Sequence, residues 1–380
     1  MSSLHTLKSV LFISAVFLLA GCASESGAPE AMPEAVAVVA SGNLITGEGL
    51  PNPAPNETRN WGTLPEGREW GSTAGVDIDP NDGHVWAYER CGAGALSGGP
   101  TDCESNPVPP IFKFDRNTGE ILANFGADIF VTPHGIHAAN DGTVWVTDFA
   151  GNQAGTRGHQ VHQFSADGEL LMSIGVAGQP GSEPGQLNQP NDVIVGPDGN
   201  IYVSDGHNGQ NSPPHPEGST GRIVKFDAEG NYLTEWGQIG SMHGEFRTPH
   251  ALEFDDQGRL WVADRGNHRI EIFDQEGNYL ESRYAYGRIS GIFMHEGMLY
   301  AIDSESSPNS HFPWTNGVRI GPLDEDVITG YIPPHDAESR PYQGAAGEGV
   351  AVDADGNVYA AEGPNSLRFA GGAFTKYSVQ

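Results

Sequence analysis

The stretch VIVGPDGNIYVSD, residues 193–205, decides the fold. Its two halves alternate apolar and polar residues around an Asp-Gly pair, which supplies the positive φ that a tight hairpin turn requires. The same pattern recurs along the chain, each time ending on an aromatic-apolar strand and an acidic residue. Its copies occupy residues 76–89, 136–148, 193–205, 254–264, 292–303 and 350–362.

A second motif follows most of these hairpins. It reads FKFD at 112–115, HQFS at 162–165, VKFD at 224–227 and EIFD at 271–274, and each copy leads into a Gly turn and a further apolar strand. Four short strands per repeat, six times over, predict an all-β fold, a six-bladed β-propeller that spans residues 61–380.

The N-terminal segment reads as a targeting signal. The apolar run at 10–20 is short for a membrane span and leads into LAGC at 19–22, which resembles a lipobox. We therefore predict a lipoprotein signal peptide at 1–21, lipidation of Cys22 and a flexible tether at 22–60. The alternative is an ordinary signal peptide with an incidental cysteine. The prediction places the protein in the cell envelope, at the outer membrane or in the periplasm, with membrane contact only through lipid.

Charge and cysteine content narrow the function classes. Acidic residues number 49 against 19 basic ones, a formal charge of −30, which disfavours nucleic acid as a partner. We expect a monomer that acts on a small-molecule or peptide substrate. In an oxidising compartment, Cys91 and Cys103 on either side of a Gly-rich loop are expected to form a disulfide.

One position varies among the repeats in a way that suggests metal chemistry. It lies just before the first strand of each hairpin, where a propeller strand lines the central channel, and holds Ala74, His134, Asn191, His250, Ser290 and Glu348. Alternate blades lie about 120° apart, so the second, fourth and sixth could converge on one point. His134, His250 and Glu348 therefore predict a metal site for zinc or another divalent transition metal. The alternative is that these side chains only make structural hydrogen bonds.

A second position lies at the end of each aromatic strand. The acidic residue there recurs in every copy, which favours a structural role in anchoring a turn. The residue after it varies, and includes Arg90 and Arg265 on opposite sides of the predicted channel. Two guanidinium groups would suit a substrate carboxylate, although salt bridges with neighbouring acids are the alternative. His207, near the same mouth, is a candidate catalytic base.

Together these frames resemble a known family. The repeats are similar to the NHL type, and residues 70–362 resemble the lyase that splits peptidyl-α-hydroxyglycine into a peptide amide and glyoxylate. The resemblance implies a six-bladed propeller with a catalytic zinc on three histidines, a structural calcium, and Arg and Tyr side chains at the substrate. PHGI at 133–136 and PHAL at 249–252 match two zinc-ligand frames. Arg90 and Arg265 match the two arginines.

This sequence departs from the family pattern at three positions. Glu348 stands where the third zinc-binding histidine is expected, Gly349 replaces the calcium-binding Asp, and His207 occupies the place of the active-site Tyr. If the lyase chemistry holds, the resemblance implies that the metal activates the substrate hydroxyl, His207 takes its proton and an arginine holds the carboxylate.

Two other functions stay open at this point. A non-catalytic NHL propeller could bind protein or glycan at the cell surface, because fold does not determine function. A lactonase-type hydrolase on a related propeller would use a calcium-binding cluster of Glu, Asn and Asp. Glu348 and Asn191 are available for such a cluster, whereas the two Pro-His frames argue against it.

Overall fold

The computed structural model describes residues 42–92, 102–335, 347–363 and 373–379. Its elements are almost entirely short β-strands, joined by turns and two 3-10 turns at His207–Gln210 and Arg265–Asn267. In chain order the strands are β1 (Asn56–Arg59), β2 (Thr73–Ile78), β3 (Val85–Glu89), β4 (Ile111–Phe114), β5 (Ile121–Phe125), β6 (Pro133–Ala138), β7 (Val144–Asp148), β8 (Gln160–Phe164), β9 (Leu170–Ile174), β10 (Pro190–Val195), β11 (Ile201–Asp205), β12 (Arg222–Phe226), β13 (Tyr232–Trp236), β14 (Pro249–Phe254), β15 (Leu260–Asp264), β16 (Arg269–Phe273), β17 (Tyr279–Arg283), β18 (Ile289–His295), β19 (Met298–Asp303), β20 (Gly317–Pro322), β21 (Gly330–Ile332), β22 (Gly349–Val352), β23 (Val358–Ala361) and β24 (Phe374–Ser378).

These strands form six antiparallel four-stranded sheets, so the predicted six-bladed propeller is confirmed. Blade 1 is β2–β5, and blades 2 to 5 follow in the same order along the chain, four strands each. Blade 6 is β22-β23-β24 with β1 as its outermost strand. The innermost strands β2, β6, β10, β14, β18 and β22 each contact the inner strand of the next blade and line the central channel.

The ring closes through β1, which lies within the segment that the sequence predicts to be tether. Glu57 pairs with Tyr377 and Arg59 with Thr375 in the antiparallel register of blade 6. The propeller therefore begins before residue 61. The strand NETR carries no apolar alternation, because it adds to the outer edge of a sheet through its backbone and buries no large side chain, so periodicity gives no sign of it. Residues 1–41, including the predicted signal peptide and Cys22, lie outside the described residues.

The repeating aromatic residue of each hairpin packs between blades. Trp86, Trp145, Tyr202, Trp261, Tyr300 and Tyr359 are all buried, at 9% exposure or less. The hairpin turns behave as expected, since Gly199 in the quoted stretch has φ of 76° and donates its N–H to Gly196 O. No helix among the described residues has the length and apolar character that a membrane crossing requires.

In blades 1 to 5 the recurring acidic residue anchors the segment that enters the blade. The Asp148 carboxylate accepts the N–H groups of Val131 and Thr132, and the Asp264 carboxylate accepts that of Arg247. Equivalent bonds run from Asn188 N to Asp205, from Arg288 N to Asp303 and from Gly71 N to Glu89. In these five blades, this position ties the entry of the inner strand to the end of the neighbouring strand.

The expected disulfide between Cys91 and Cys103 is present. It lies beside the channel mouth, because Arg90 immediately precedes Cys91 and the N–H of Cys103 donates to Val131 O at the entry to blade 2. The cross-link therefore joins the end of the blade 1 hairpin to Cys103, whose N–H bonds the segment that leads into His134.

Candidate active site at the channel mouth

Two histidines are the second residues of the inner strands of blades 2 and 4. His134 and His250 are each 3% exposed and line the channel. His134 Nδ1 donates to Asn191 O at 2.8 Å, and His250 Nδ1 donates to Ser290 O at 2.6 Å, since a carbonyl can only accept. Both bonds reach the next blade and hold the rings in place. They also leave each buried Nε2 as a lone pair without a partner among the described residues.

The third member of this cluster is His207, from the 3-10 turn after β11. The turn depends on Gly206, whose φ is 127° and where a Cβ would lie 2.0 Å from Thr220 O. The His207 ring centroid lies 5.6 Å from that of His134 and 5.7 Å from that of His250. One ring nitrogen from each of the three histidines lies within 4.8 Å of the others.

All three rings are held in the neutral form. Burial lowers the pKa of His134, His207 and His250 well below the usual range for histidine, and the nearby Arg265 guanidinium lowers each of them further. A neutral imidazole is the form that binds a metal.

The donor set fits a divalent transition metal. Zinc in catalytic sites is commonly held by three protein ligands, with three histidines a known set, and leaves one position open. The backbone acceptors of His134 and His250 are the outer partners that orient such ligands. Two buried ring nitrogens without partners, aimed into one cluster, are explained by a bound cation better than by structural hydrogen bonding.

Guanidinium groups surround the histidine cluster. Arg90 Nε donates to Pro133 O at 3.0 Å, beside His134. Arg265 is fully buried, and its Nη2 lies 3.0 Å from His207 Nε2. Arg288 Nη1 donates to Arg265 O at 3.3 Å. The first two are the arginines predicted from the sequence, and the structure brings both of them to the histidines.

Two carboxylates face these arginines. Glu305 Oε2 lies 3.0 Å from Arg288 Nη2 and 3.8 Å from Arg265 Nε. Glu348 Oε2 lies 3.7 Å from Arg90 Nη2. Three guanidinium groups against two carboxylates leave one net positive charge, in a chain whose formal charge is −30. The site is therefore suited to an anionic group.

The predicted metal-ligand set is only partly brought together. His134 and His250 meet, but Glu348 lies outside the histidine cluster and faces Arg90, while His207, predicted as a base, takes the third place. The alternate-blade rule assumed that ligands come from equivalent strand positions, whereas His207 reaches the cluster from a turn in blade 3. The three clustered histidines thus come from consecutive blades, 2 to 4, on one side of the channel.

Sequence reasoning missed two groups at this mouth, Arg288 and Glu305. Glu305 follows the repeating acid Asp303 by two residues, so the variable segment after that acid was the signal that could have found it. Arg288 stands before the inner strand of blade 5 and has no counterpart in the position that the repeats align. Phe149, the residue after Asp148, packs its ring 4.9 Å from that of His207 and forms an apolar wall.

Comparisons with known proteins agree with this architecture. The NHL repeat model matches residues 246–273. Peptidyl-glycine alpha-amidating monooxygenase B of Xenopus laevis is 30% identical over 318 residues, which cover 76% of this chain and 32% of that protein. A gluconolactonase structure from Xanthomonas campestris shares the fold, with a TM-score of 0.53 at 16% identity over 87% of this chain and 97% of that one.

A relative of similar length carries the family assignment. The probable peptidyl-alpha-hydroxyglycine alpha-amidating lyase pgal-1 of Caenorhabditis elegans is 30% identical over 262 residues, 63% of this chain and 69% of that protein. By contrast, the chain spans about a third of the length of the Xenopus monooxygenase. With its NHL-type propeller, this chain belongs to the peptidyl-α-hydroxyglycine α-amidating lyase family.

Proposed function

We propose that the protein is a metal-dependent lyase that cleaves the C–N bond of an α-hydroxyglycine-type substrate and releases an amide and glyoxylate. The observation that carries the proposal is the cluster of His134, His207 and His250, in which the buried Nε2 atoms of His134 and His250 have no partner among the described residues. The names of the relatives point to the same reaction class.

The three histidines would hold zinc or another divalent transition metal. Such an ion supplies Lewis acidity, which makes a hydroxyl group bound to it easier to deprotonate. Arg90, Arg265 and Glu348 lie at the same channel mouth, so the substrate would bind between the histidines and these charged groups. Phe149 and the buried walls keep bulk water away from the ring nitrogens.

The guanidinium groups would recognise the substrate carboxylate. A planar guanidinium donates two parallel N–H bonds to a carboxylate, which orients it as well as binding it. Arg90 is 9% exposed and its Nη2 makes no hydrogen bond to a described residue, whereas Arg265 is fully buried and its Nη2 lies 3.0 Å from His207 Nε2. Arg90 is therefore the better placed to meet the carboxylate, and Arg265 positions His207.

The residue at the position of the family's calcium-binding Asp cannot bind calcium through a side chain in this chain. That position is Gly349, where a Cβ would lie 2.6 Å from Ala74 O in blade 1. The inner strands of blades 6 and 1 approach too closely there for any side chain. We therefore assign the transition metal alone to the mechanism.

The test measures metal and product in the same samples. The purified protein, loaded with zinc, is assayed for glyoxylate release from an N-acyl-α-hydroxyglycine, and bound metal is counted by mass spectrometry. We expect one metal per chain and metal-dependent glyoxylate release. Full metal without turnover would contradict the lyase assignment and retain the site. Neither metal nor turnover in a folded protein would favour the non-catalytic binding propeller.

A further inference from the structure

Glu348 enters the channel from blade 6. It is the residue before β22, and its N–H donates to Ala361 O at 2.6 Å, which fixes its backbone. Its side chain is 11% exposed and lies against Gly363, where a Cβ would be 2.8 Å from Glu348 Oε1. In a six-bladed ring, blade 6 stands opposite blade 3, so Glu348 faces the histidine cluster across the channel.

The carboxylate of Glu348 has an oxygen without a committed partner. Oε2 is buried and has no hydrogen bond from any described residue, since Arg90 Nη2 at 3.7 Å is beyond hydrogen-bond distance. A buried carboxylate oxygen that is left unsatisfied calls for an explanation. The open space of the channel between Glu348 and the histidines is where a substrate group could supply the missing partner.

The other titratable groups near the cluster are engaged elsewhere. His207 Nε2 accepts a hydrogen bond from Arg265 Nη2, and the His207 ring belongs to the histidine cluster. Glu305 pairs with Arg288 and Arg265. Glu253 lines the channel too, but it stands three residues beyond His250 on β14, about 10 Å along the strand. Among the described residues that line the channel, Glu348 is thus the carboxylate best placed to exchange a proton with a substrate at the histidines.

We propose that Glu348 is the proton-transfer group of this site, a role that rests on the proposed lyase function. Its carboxylate takes the proton from the substrate hydroxyl, the C=O bond of glyoxylate forms as the C–N bond breaks, and the resulting carboxylic acid returns the proton to the departing amide nitrogen. One O–H and one C–N bond are lost, while one C=O π bond and one N–H bond are gained. The reaction therefore consumes no oxidant and no net proton.

The charges around Glu348 suit this role. Burial raises the pKa of Glu348, whereas Arg90 and Arg265 act to lower it and Glu305 acts to raise it. A raised pKa brings a carboxylate closer to the working pH, where a single group can both accept and return a proton.

The test compares Glu348→Gln and Glu348→Asp with the parent protein, all loaded with zinc. Glu348→Gln keeps the size and removes the proton acceptor, so we expect kcat to fall about 10²- to 10⁴-fold. KM should stay within a few-fold and metal content at one per chain. The acid limb of the parent's kcat/KM profile should disappear in Glu348→Gln. Glu348→Asp should recover part of kcat. Glu253→Gln, a second channel glutamate, is the matched control and should keep the parent kcat.

Three outcomes would overturn the role. If Glu348→Gln keeps kcat within threefold, the carboxylate does not transfer the proton. If it loses the metal, Glu348 is a ligand. A kcat loss that Glu253→Gln shares would mean that channel packing is the cause. Failure of the lyase function itself is distinguishable, because the parent protein would then hold metal and release no glyoxylate.

Discussion

Two ring-shaped sets of residues surround the same channel and behave differently. The acidic residue at the end of each second strand is nearly invariant within the chain, and in five blades it accepts backbone N–H groups that lead into a blade. The residue that opens each inner strand changes from blade to blade, and two of these residues, His134 and His250, belong to the histidine cluster. The residue type that recurs in every repeat stabilises the propeller, whereas the position that varies among the repeats contributes the residues of the candidate site.

The largest effect is expected when the two histidines at the variable position are replaced. The double variant His134→Ala His250→Ala should lose metal and reduce glyoxylate release at least about a thousandfold, which corresponds to about 4 kcal/mol of the activation barrier. Bound metal and turnover are measured together with the melting temperature. His295→Ala, at a hairpin in blade 5, serves as control and should change neither metal nor turnover. Retention of metal by the double variant would contradict the cluster's role.

Replacement of a recurring acidic residue should lower the stability of the fold and leave metal binding unchanged. Asp264 is fully buried and lies 3.0 Å from Arg269 Nε. Asp264→Ala therefore removes one of the two carboxylates that face this buried guanidinium and leaves the N–H of Arg247 without its acceptor. We expect the free energy of unfolding to fall by about 3–5 kcal/mol. Metal stoichiometry of the folded fraction should be retained. Denaturant titration measures this, with the exposed Asp256→Ala in the same blade as control, expected within about 0.5 kcal/mol.

The pH dependence of stability offers a finer test of the repeating acids. Burial raises the pKa of Asp148 to about 7, although the N–H groups of Thr132 and Val131 act to lower it. Between pH 4 and 7 the folded protein therefore holds a proton that the unfolded chain releases. The stabilisation is present at pH 4 and is lost as the pH rises through 7. Its size is on the order of 2–4 kcal/mol.

Asp148→Asn should remove this slope from the difference between variant and parent. Denaturant midpoints at pH 4.5, 6 and 7.5 supply the measurement, and the parent serves as reference because the buried histidines affect both proteins equally. Parallel curves for the two proteins would show that Asp148 stays ionised in the folded state.

The smallest effect is expected at Asn191, which stands at the variable inner-strand position but does not belong to the histidine cluster. Asn191 is buried, and its Nδ2 donates to Pro249 O at 2.7 Å, the residue before His250. Asn191→Ala should cost about 1–2 kcal/mol of stability and leave metal bound, because it removes one clamp between blades 3 and 4. Calorimetry and metal counting check this. Loss of metal would show that the clamp is needed to hold His250.

The sequence was sufficient for the fold and for most of the charged groups at the mouth. The hairpin repeat, with its turn glycines and aromatic residues, predicts four strands per blade. The aligned copies predict His134, His250, Arg90 and Arg265 at the channel mouth, which is where the structure has them. The sequence did not predict strand β1, because an edge strand that is held by backbone hydrogen bonds needs no apolar pattern.

The sequence did not predict that His207 joins the other two histidines, for a related reason. His207 lies outside the aligned position, and its place depends on a 3-10 turn that begins at Gly206 and packs against Thr220. Periodicity describes strands and does not describe the path of such a turn. The same limit explains why alignment of the repeats predicts Glu348, which stands in the aligned position, as the third ligand.

The most direct measurement is the metal content of three proteins prepared side by side in zinc: the parent, His207→Ala and Glu348→Gln. We expect one zinc per chain in the parent and in Glu348→Gln, and a large loss of zinc in His207→Ala. The reverse result, with zinc retained in His207→Ala and lost in Glu348→Gln, would contradict the three-histidine site and restore the ligand set that the repeats alone suggest.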